Sequence, residues 1–332
     1  MSQTIYTGPA KAYMNSKAFQ PQSENGQLSV AIDERTTPIS NAMFGYQGEA
    51  TEDVNAKVSL VPFDSWDLIS VLFPAFLGVS VGTTTGALLI GTRAHDAAAG
   101  TANGNNAVKV WTPDGRLYNF VRGAISKHPE MYFGTGKELF GSVEITCLGD
   151  VTKRPGDSGY LVAGSAITET GAADPGGVFS LADFVRGYWT AAWGAAAGFG
   201  GDTGGAPMES EDFWTLVPEV KYNAPTQQKI IRHMPLVSAR FMLKGRLIGP
   251  THSQLMAAVL SKASGYRNAS GAAGADLVLT GPNSKEVTLK NCEIKGAGFQ
   301  FGGTTLNTGE FGFITQTAYT TGVPDPQLIF SA

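Results

Sequence analysis

The stretch VKVWTPDGRLYNFVRGAISKHPEMYFGTG (108–136) lies over LVLTGPNSKEVTLKNCEIKGAGFQFGGTT (277–305) without a gap, at a constant offset of 169 residues. Pro113 meets Pro282, Asp114 meets Asn283, Arg116 meets Lys285 and Phe120 meets Leu289. Further on, Ile125 meets Ile294, Tyr132 meets Phe301, Gly134 meets Gly303 and Thr135 meets Thr304. A duplication constrains the fold strongly, because both copies must be able to take the same local structure. Each copy reads strand, turn, strand, with Pro-Asp-Gly or Pro-Asn-Ser at the turn, which predicts a β-hairpin. The alternation through Tyr118 and Phe120, or Val287 and Leu289, changes parity before Ile125 or Ile294. That change predicts a shared β-bulge around Arg122–Gly123 and Asn291–Cys292. After a two-residue slip, LFGSVEITC (139–147) lies over EFGFITQTA (310–318).

The correspondence extends upstream. VSLVPFDSWDLISVLF (58–73) reads as a strand entering a helix, with Asp64 or Ser65 as N-cap. FMLKGRLIGPTHSQLMAAVL (241–260) repeats that plan, with Thr251 as cap and Leu255 and Val259 on one helix face. NGQLSVAIDERTTPIS faces EDFWTLVPEVKYNAPTQ, and IYTGPAKAYM faces GYWTAAWGAA (187–196). The expected organisation is therefore two copies of one plan: strand, loop, strand, long loop, strand, helix, hairpin, strand. They span 1–149 and 180–332, with 150–179 as a linker. The fold class is mainly β with one short helix per repeat (α+β).

A chain of 332 residues exceeds the usual reach of one core, which agrees with two domains. Only 16% of residues are charged, against about 25% in a typical soluble domain, which suits burial against other subunits. A net charge of −4 argues against a protein that grips nucleic acid by its phosphates. Cys147 and Cys292 fit neither a disulfide framework nor a metal site and read as free thiols in a reducing cytoplasm. The opening MSQTIYTGPAKAYM has no apolar run after a basic start, so no secretory leader is expected. The apolar stretch LISVLFPAFLGVSVG (68–82) is broken by Pro74 and too short to span a bilayer, so a soluble chain without membrane partners is expected.

One motif tests the idea of catalysis. Gly156-Asp157-Ser158-Gly159 matches the string around the nucleophile of chymotrypsin-like serine proteases, and His95 lies upstream in TRAHDA. Only 63 residues separate His95 from Ser158, too few for the two barrels that supply histidine and serine in that family. Tyr160 also replaces the second glycine of the family's GDSGG. Asp-Ser-Gly is ordinary turn vocabulary, and the linker needs a turn there. GTGKE (134–138) lacks the spacing of a phosphate loop, and GFGGDTGGAP (198–207) lacks the strand-to-helix context of a dinucleotide turn. His95, His128, His233 and His252 show no ligand spacing. The expectation is no enzyme, no catalytic residues, no metal and no cofactor.

The repeated plan, and VSLVPFDSWDLISVLFPAFLG in particular, resembles the tube domain of the major tail tube proteins of long-tailed bacteriophages (siphophages), related in fold to type VI secretion tubes. The resemblance implies two tandem tail-tube-like β-sandwich/barrel domains and a structural virion protein in the tail, assembled in the host bacterial cytoplasm. Single-domain members form hexameric rings, so a two-domain chain would close the ring as a homotrimer with pseudo-sixfold symmetry. The rings would stack on a tape-measure protein, meet tail terminator and tail-tip proteins, and pass double-stranded DNA during genome delivery. In such proteins the long loop after the second strand reaches a neighbouring ring. Here it would be 34–57, with Thr37, Phe44, Tyr46, Glu49, Glu52 and Asp53, and the shorter 221–236, with Thr226 and Arg232. The acidic residues of the first loop would face Arg232 or Lys244 of the adjacent ring. Ser142, Glu144, Thr146, Thr315 and Thr317 would line the lumen, where small polar or acidic groups let phosphates slide. Two other readings stay open: a different β-rich virion component (baseplate, decoration or adhesion module) and, remotely, the serine protease.

Overall fold

The computed structural model describes residues 10–21, 27–93, 107–150, 152–154, 157–168, 171–176, 183–193, 208–210, 212–223, 226–227, 230–231, 233–247, 275–299, 309–317, 319–320 and 323–331. The second predicted helix, at Thr251–Leu260, lies outside them. The first half runs β1 (Lys11–Met14), β2 (Lys17–Phe19), β3 (Ser29–Asn41), β4 (Gly45–Leu60), β5 (Val79–Val81) and β6 (Val108–Trp111). It continues with β7 (Leu117–Phe120), β8 (Arg122–Lys127), β9 (Met131–Gly134), β10 (Val143–Leu148) and β11 (Val162–Thr168). The second half runs β12 (Thr190–Trp193), β13 (Met208–Glu209), β14 (Phe213–Tyr222), β15 (Thr226–Gln227), β16 (Ile230–Ile231) and β17 (Leu236–Leu247). It closes with β18 (Ala275–Thr280), β19 (Glu286–Phe299), β20 (Gly309–Ile314), β21 (Tyr319–Thr320), β22 (Val323–Pro324) and β23 (Leu328–Ser331). The protein is mainly β, as its β-branched, aromatic and turn-rich sequence requires.

Each half has two sheet layers in the same order. In the first, a hairpin layer runs β11-β7-β6-β1-β2 and a long-strand layer runs β3-β4-β10-β8. In the second, β12, β18, the start of β19 and β23 correspond to β1, β6, β7 and β11, while β14, β17, β20 and the end of β19 correspond to β3, β4, β10 and β8. The hairpin registers coincide residue by residue. Val108, Lys109, Val110 and Trp111 oppose Phe120, Asn119, Tyr118 and Leu117. Leu277, Val278, Leu279 and Thr280 oppose Leu289, Thr288, Val287 and Glu286, every one the repeat partner of its counterpart.

The parity change has a physical cause. It marks the point where the strand leaves one layer for the other. In the first half the chain breaks at Val121, between β7 and β8. In the second, β19 runs through, with a register shift against β18 and Asn291 at φ 51°. The bulge expected near Asn291–Cys292 is present, whereas Arg122 and Gly123 pair regularly with β10 and the chain bends one residue earlier, at Val121.

Two expected alignments shift. Ile125 pairs with Ile145 and Ile294 pairs with Phe313, so Ile145 corresponds to Phe313 rather than to Gln316. Trp111 pairs with Lys11 and Thr280 with Thr190, which slides the opening strand's correspondence by three residues. In both cases sheet pairing fixes the register, which letter similarity does not see.

The helix is short: a 3₁₀ turn at Trp66–Leu68 continuing as Ile69–Leu72. Ser65 takes the N-cap position, without a side-chain capping bond, and Asp64 turns inward instead. The segment expected to be a linker also contributes structure, because β11 completes the first hairpin layer against β7.

Strands of the two halves pair directly. β9 pairs with β14, and β5 runs parallel to β23. The main apolar core therefore spans both halves, and in it Trp66 stacks on Trp189 at 6.2 Å and meets Phe330 edge-on at 5.7 Å.

Candidate assembly interfaces

The joint between the halves is built edge to edge. Met131, Tyr132, Phe133 and Gly134 oppose Leu216, Thr215, Trp214 and Phe213. Alternation puts Met131, Phe133, Trp214 and Leu216 into the core, all at most 1% exposed. Phe133 there approaches Trp189 at 4.8 Å. On the other face Tyr132 and Phe213 meet edge-on at 5.5 Å, with the Lys137 ammonium 3.9 Å from the first ring and 4.5 Å from the second. Burial, together with donation of the Tyr132 hydroxyl to Glu130, pushes the Tyr132 pKa up to about 12.

Two polar contacts lock this region. The Asp64 carboxylate is fully buried, accepts the Leu139 N–H at 2.7 Å and pairs with Arg186 at 2.5 Å, tying the helix entry to the start of the second half. His128 donates from Nδ1 to the Leu72 carbonyl and accepts at Nε2 from the Tyr222 hydroxyl, both at 2.6 Å. Loss of hydration in this site holds the His128 pKa down at about 4, so the ring is neutral. The sequence offered Asp64 only as an N-cap candidate and gave His128 no role, because Arg186 and Tyr222 lie 122 and 94 residues away from them.

The first predicted inter-ring loop is a β-ribbon. β3 and β4 pair from Ser29–Ser59 out to Asn41–Gly45, whereas β10 covers β4 only over Ala56–Leu60. The remainder projects roughly 30 Å at the rise of an extended strand. An Asx turn forms its tip, with Asn41 Oδ1 accepting from Met43 and Phe44 N–H. Thr37, Phe44, Tyr46 and Glu49 are exposed on it, as are Ile32, Ile39 and Met43; Phe44 shows 73% of its surface. Glu52 and Asp53 belong to β4. Thr226 sits in β15, which pairs with β16, while Arg232 lies outside the described residues. Met234, which follows, packs with Ala124 and Leu148 of the first half. Lys244, expected to serve an adjacent ring, pairs within the chain with Glu310 at 3.6 Å.

The residues expected to line a lumen divide. Ser142 is exposed and Glu144 half-buried on the outer face of β10, where Glu144 accepts from Ser126 and lies 3.4 Å from Lys57. Thr146 and Thr315 are buried within the chain. Thr315 Oγ1 accepts from the Phe241 N–H and bonds Gln327, and Gln327 in turn reaches Thr317. The outer face of the second half's long strands carries cross-strand charge pairs the sequence reading did not single out, Arg240–Glu219 and Lys244–Glu310. Their signal was alternation: Arg240, Met242 and Lys244 interleave with the buried Phe241 and Leu243.

Asp157, Ser158 and Gly159 of the serine motif lie in a turn. Asp157 accepts the Arg154 N–H through its carboxylate, Tyr160 N–H returns to the Asp157 carbonyl, and Gly159 has φ 77°. The Asp157 carboxylate thus caps its own loop, and His95 lies outside the described residues. Cys147 and Cys292 are free and buried, and burial pushes the Cys147 thiol up to about 12. Among the described residues no group of three or more His, Cys, Asp or Glu could hold a metal, and no helix is long and apolar enough to cross a membrane. No protein-family model matches the chain, and no curated protein sequence matches it.

Proposed function

We propose that this protein is a structural subunit that polymerises head to tail into rings, and that the rings stack into the tail tube of a long-tailed bacteriophage, a conduit for genome delivery. The observation that carries the reading is the β9–β14 joint inside a duplicated chain. When one half of a repeat joins the next half by strand pairing, the same joint recurs between chains, and the series ends only by closing on itself or continuing as a filament. The edge equivalent to Phe213–Leu216 is Gln27–Val30 of the first half, by the pairing of Val30 with Val58 and of Leu216 with Leu243. Among the described residues that edge has β4 on one side and no strand on the other. A ring of such joints is a barrel without open edges, in which each copy contributes two tandem tube domains.

The ribbon supports stacking. A two-stranded ribbon is marginal alone in water, and this one exposes Ile32, Ile39, Met43, Phe44 and Tyr46, which a neighbouring ring would cover. The outer face of the long strands, with its charges paired across strands, would then face the lumen and offer DNA few free cations. Electron microscopy of the purified protein, alone and with tail partners, tests the reading. Rings or tubes are expected, and Ser158→Ala protein should form them like the wild type because Ser158 is an exposed turn residue. Persistent monomers under every condition would overturn it.

A further inference from the structure

We propose that the outer edge of β11 (Val162–Thr168) is a second joining edge, at which another copy of this chain adds a strand. This rests on the reading above that the chain's internal joints recur between chains, and it concerns a joint different from β9–β14.

β11 and β23 are counterparts by register. Leu117 and Tyr118 oppose Thr168 and Ile167, and Phe120 opposes Val162, with a register shift between Val162 and Ile167 that β23 lacks. Their repeat partners Glu286, Val287 and Leu289 oppose Ser331, Phe330 and Leu328. In the second half the far side of β23 is occupied. β5, a strand of the first half, lies parallel to it with Leu328, Ile329 and Phe330 against Val79, Ser80 and Val81. The Gly82 N–H donates to the Phe330 carbonyl at 3.0 Å, and the Leu328 N–H donates to the Gly78 carbonyl at 3.2 Å. In the first half β11 ends its five-stranded layer, and among the described residues its far side carries no strand. The chain therefore holds one filled and one open instance of the same edge. An open edge is a template for strand addition, and the occupant the chain itself demonstrates is a strand from the neighbouring half. For β11 that neighbour is the second half of another copy. Both open edges, β11 and Gln27–Val30, belong to the first half, and both filled counterparts to the second, so one approaching copy engages the two in a head-to-tail contact.

Amide hydrogen exchange of the wild-type chain, assembled and unassembled, tests this. The outward-facing Val162 amide, which does not bond β7, should exchange on the order of 100-fold more slowly in the assembly than in the free chain. Val162→Pro removes the N–H equivalent to that of Leu328, leaving the β7 side paired. Because Val162 also packs against the core, the free chain should melt a few degrees lower while remaining folded, and the concentration needed for assembly should rise roughly tenfold at a temperature where the variant is fully folded. Assemblies in which Gln27–Val30 becomes protected but 162–168 exchanges as in the free chain would overturn this proposal and leave polymerisation standing. Protection of the outward-facing Val162 amide already in the free chain would overturn it too, because the chain would be covering its own edge. Absence of any assembly would overturn both readings.

Discussion

His128 shows what one buried side chain imposes. The Leu72 carbonyl can only accept, so the ring proton sits on Nδ1 and the Tyr222 hydroxyl must donate to Nε2. Phe73 stacks on the same ring at 6.0 Å, completing an enclosure that admits the neutral form and disfavours the cation. With a folded pKa of about 4 against 6.5 for the free side chain, the unfolded chain binds more protons as pH falls. The stabilisation is therefore complete above pH about 6.5 and is lost progressively on going down to pH about 4. Urea denaturation should show the wild type losing about 2–3 kcal/mol more than His128→Asn between pH 7.5 and 4.5. Parallel pH profiles for the two proteins would exclude His128 as the source.

At the scale of elements, the joint between β9 and β14 depends on close backbone approach. A Cβ on Gly134 would lie 2.6 Å from the Phe213 Cβ and 2.9 Å from its Cα, so any side chain there pushes the strands apart. Gly134→Ala should destabilise the protein by about 1–3 kcal/mol, read as a shift in the urea midpoint at unchanged slope. Gly136, at φ +79° with nothing near its Cβ position, is sensitive instead through backbone strain. The hairpins were legible from sequence because a Pro-led turn and flanking alternation are local signals. The ribbon was not. DERTTPISNAMFGYQGEATEDVN carries polar residues and Pro38 on an edge strand, a composition that reads as loop until the partner strand is known.

The whole molecule behaves as more than two repeats in a row. Phe73 meets Phe241 and Phe330, Trp66 meets Trp189, and Asp64 holds Arg186, so the halves share their interior. Thermal unfolding should accordingly be one transition, with far-UV circular dichroism and tryptophan fluorescence giving the same midpoint and a calorimetric enthalpy equal to the van't Hoff value. Two separated transitions would mean that each half is stable without the other. The assembly reading belongs to this scale as well: an internal joint that leaves its own counterpart open directs the chain toward further copies of itself.

The sequence by itself determined the matching hairpins of Val108–Phe120 and Leu277–Leu289, the parity change near Asn291, and the turn character of Asp157–Gly159. These are all properties of residues near one another in the chain or related by a fixed offset. Only the tertiary structure decided that the parity change is a passage between layers, that β11 belongs to the first half's sheet, and that β9 and β5 pair with strands of the second half. Strand pairing is made by backbone groups that every residue carries, so the amino acids record which face of a strand is buried but not which strand lies beside it.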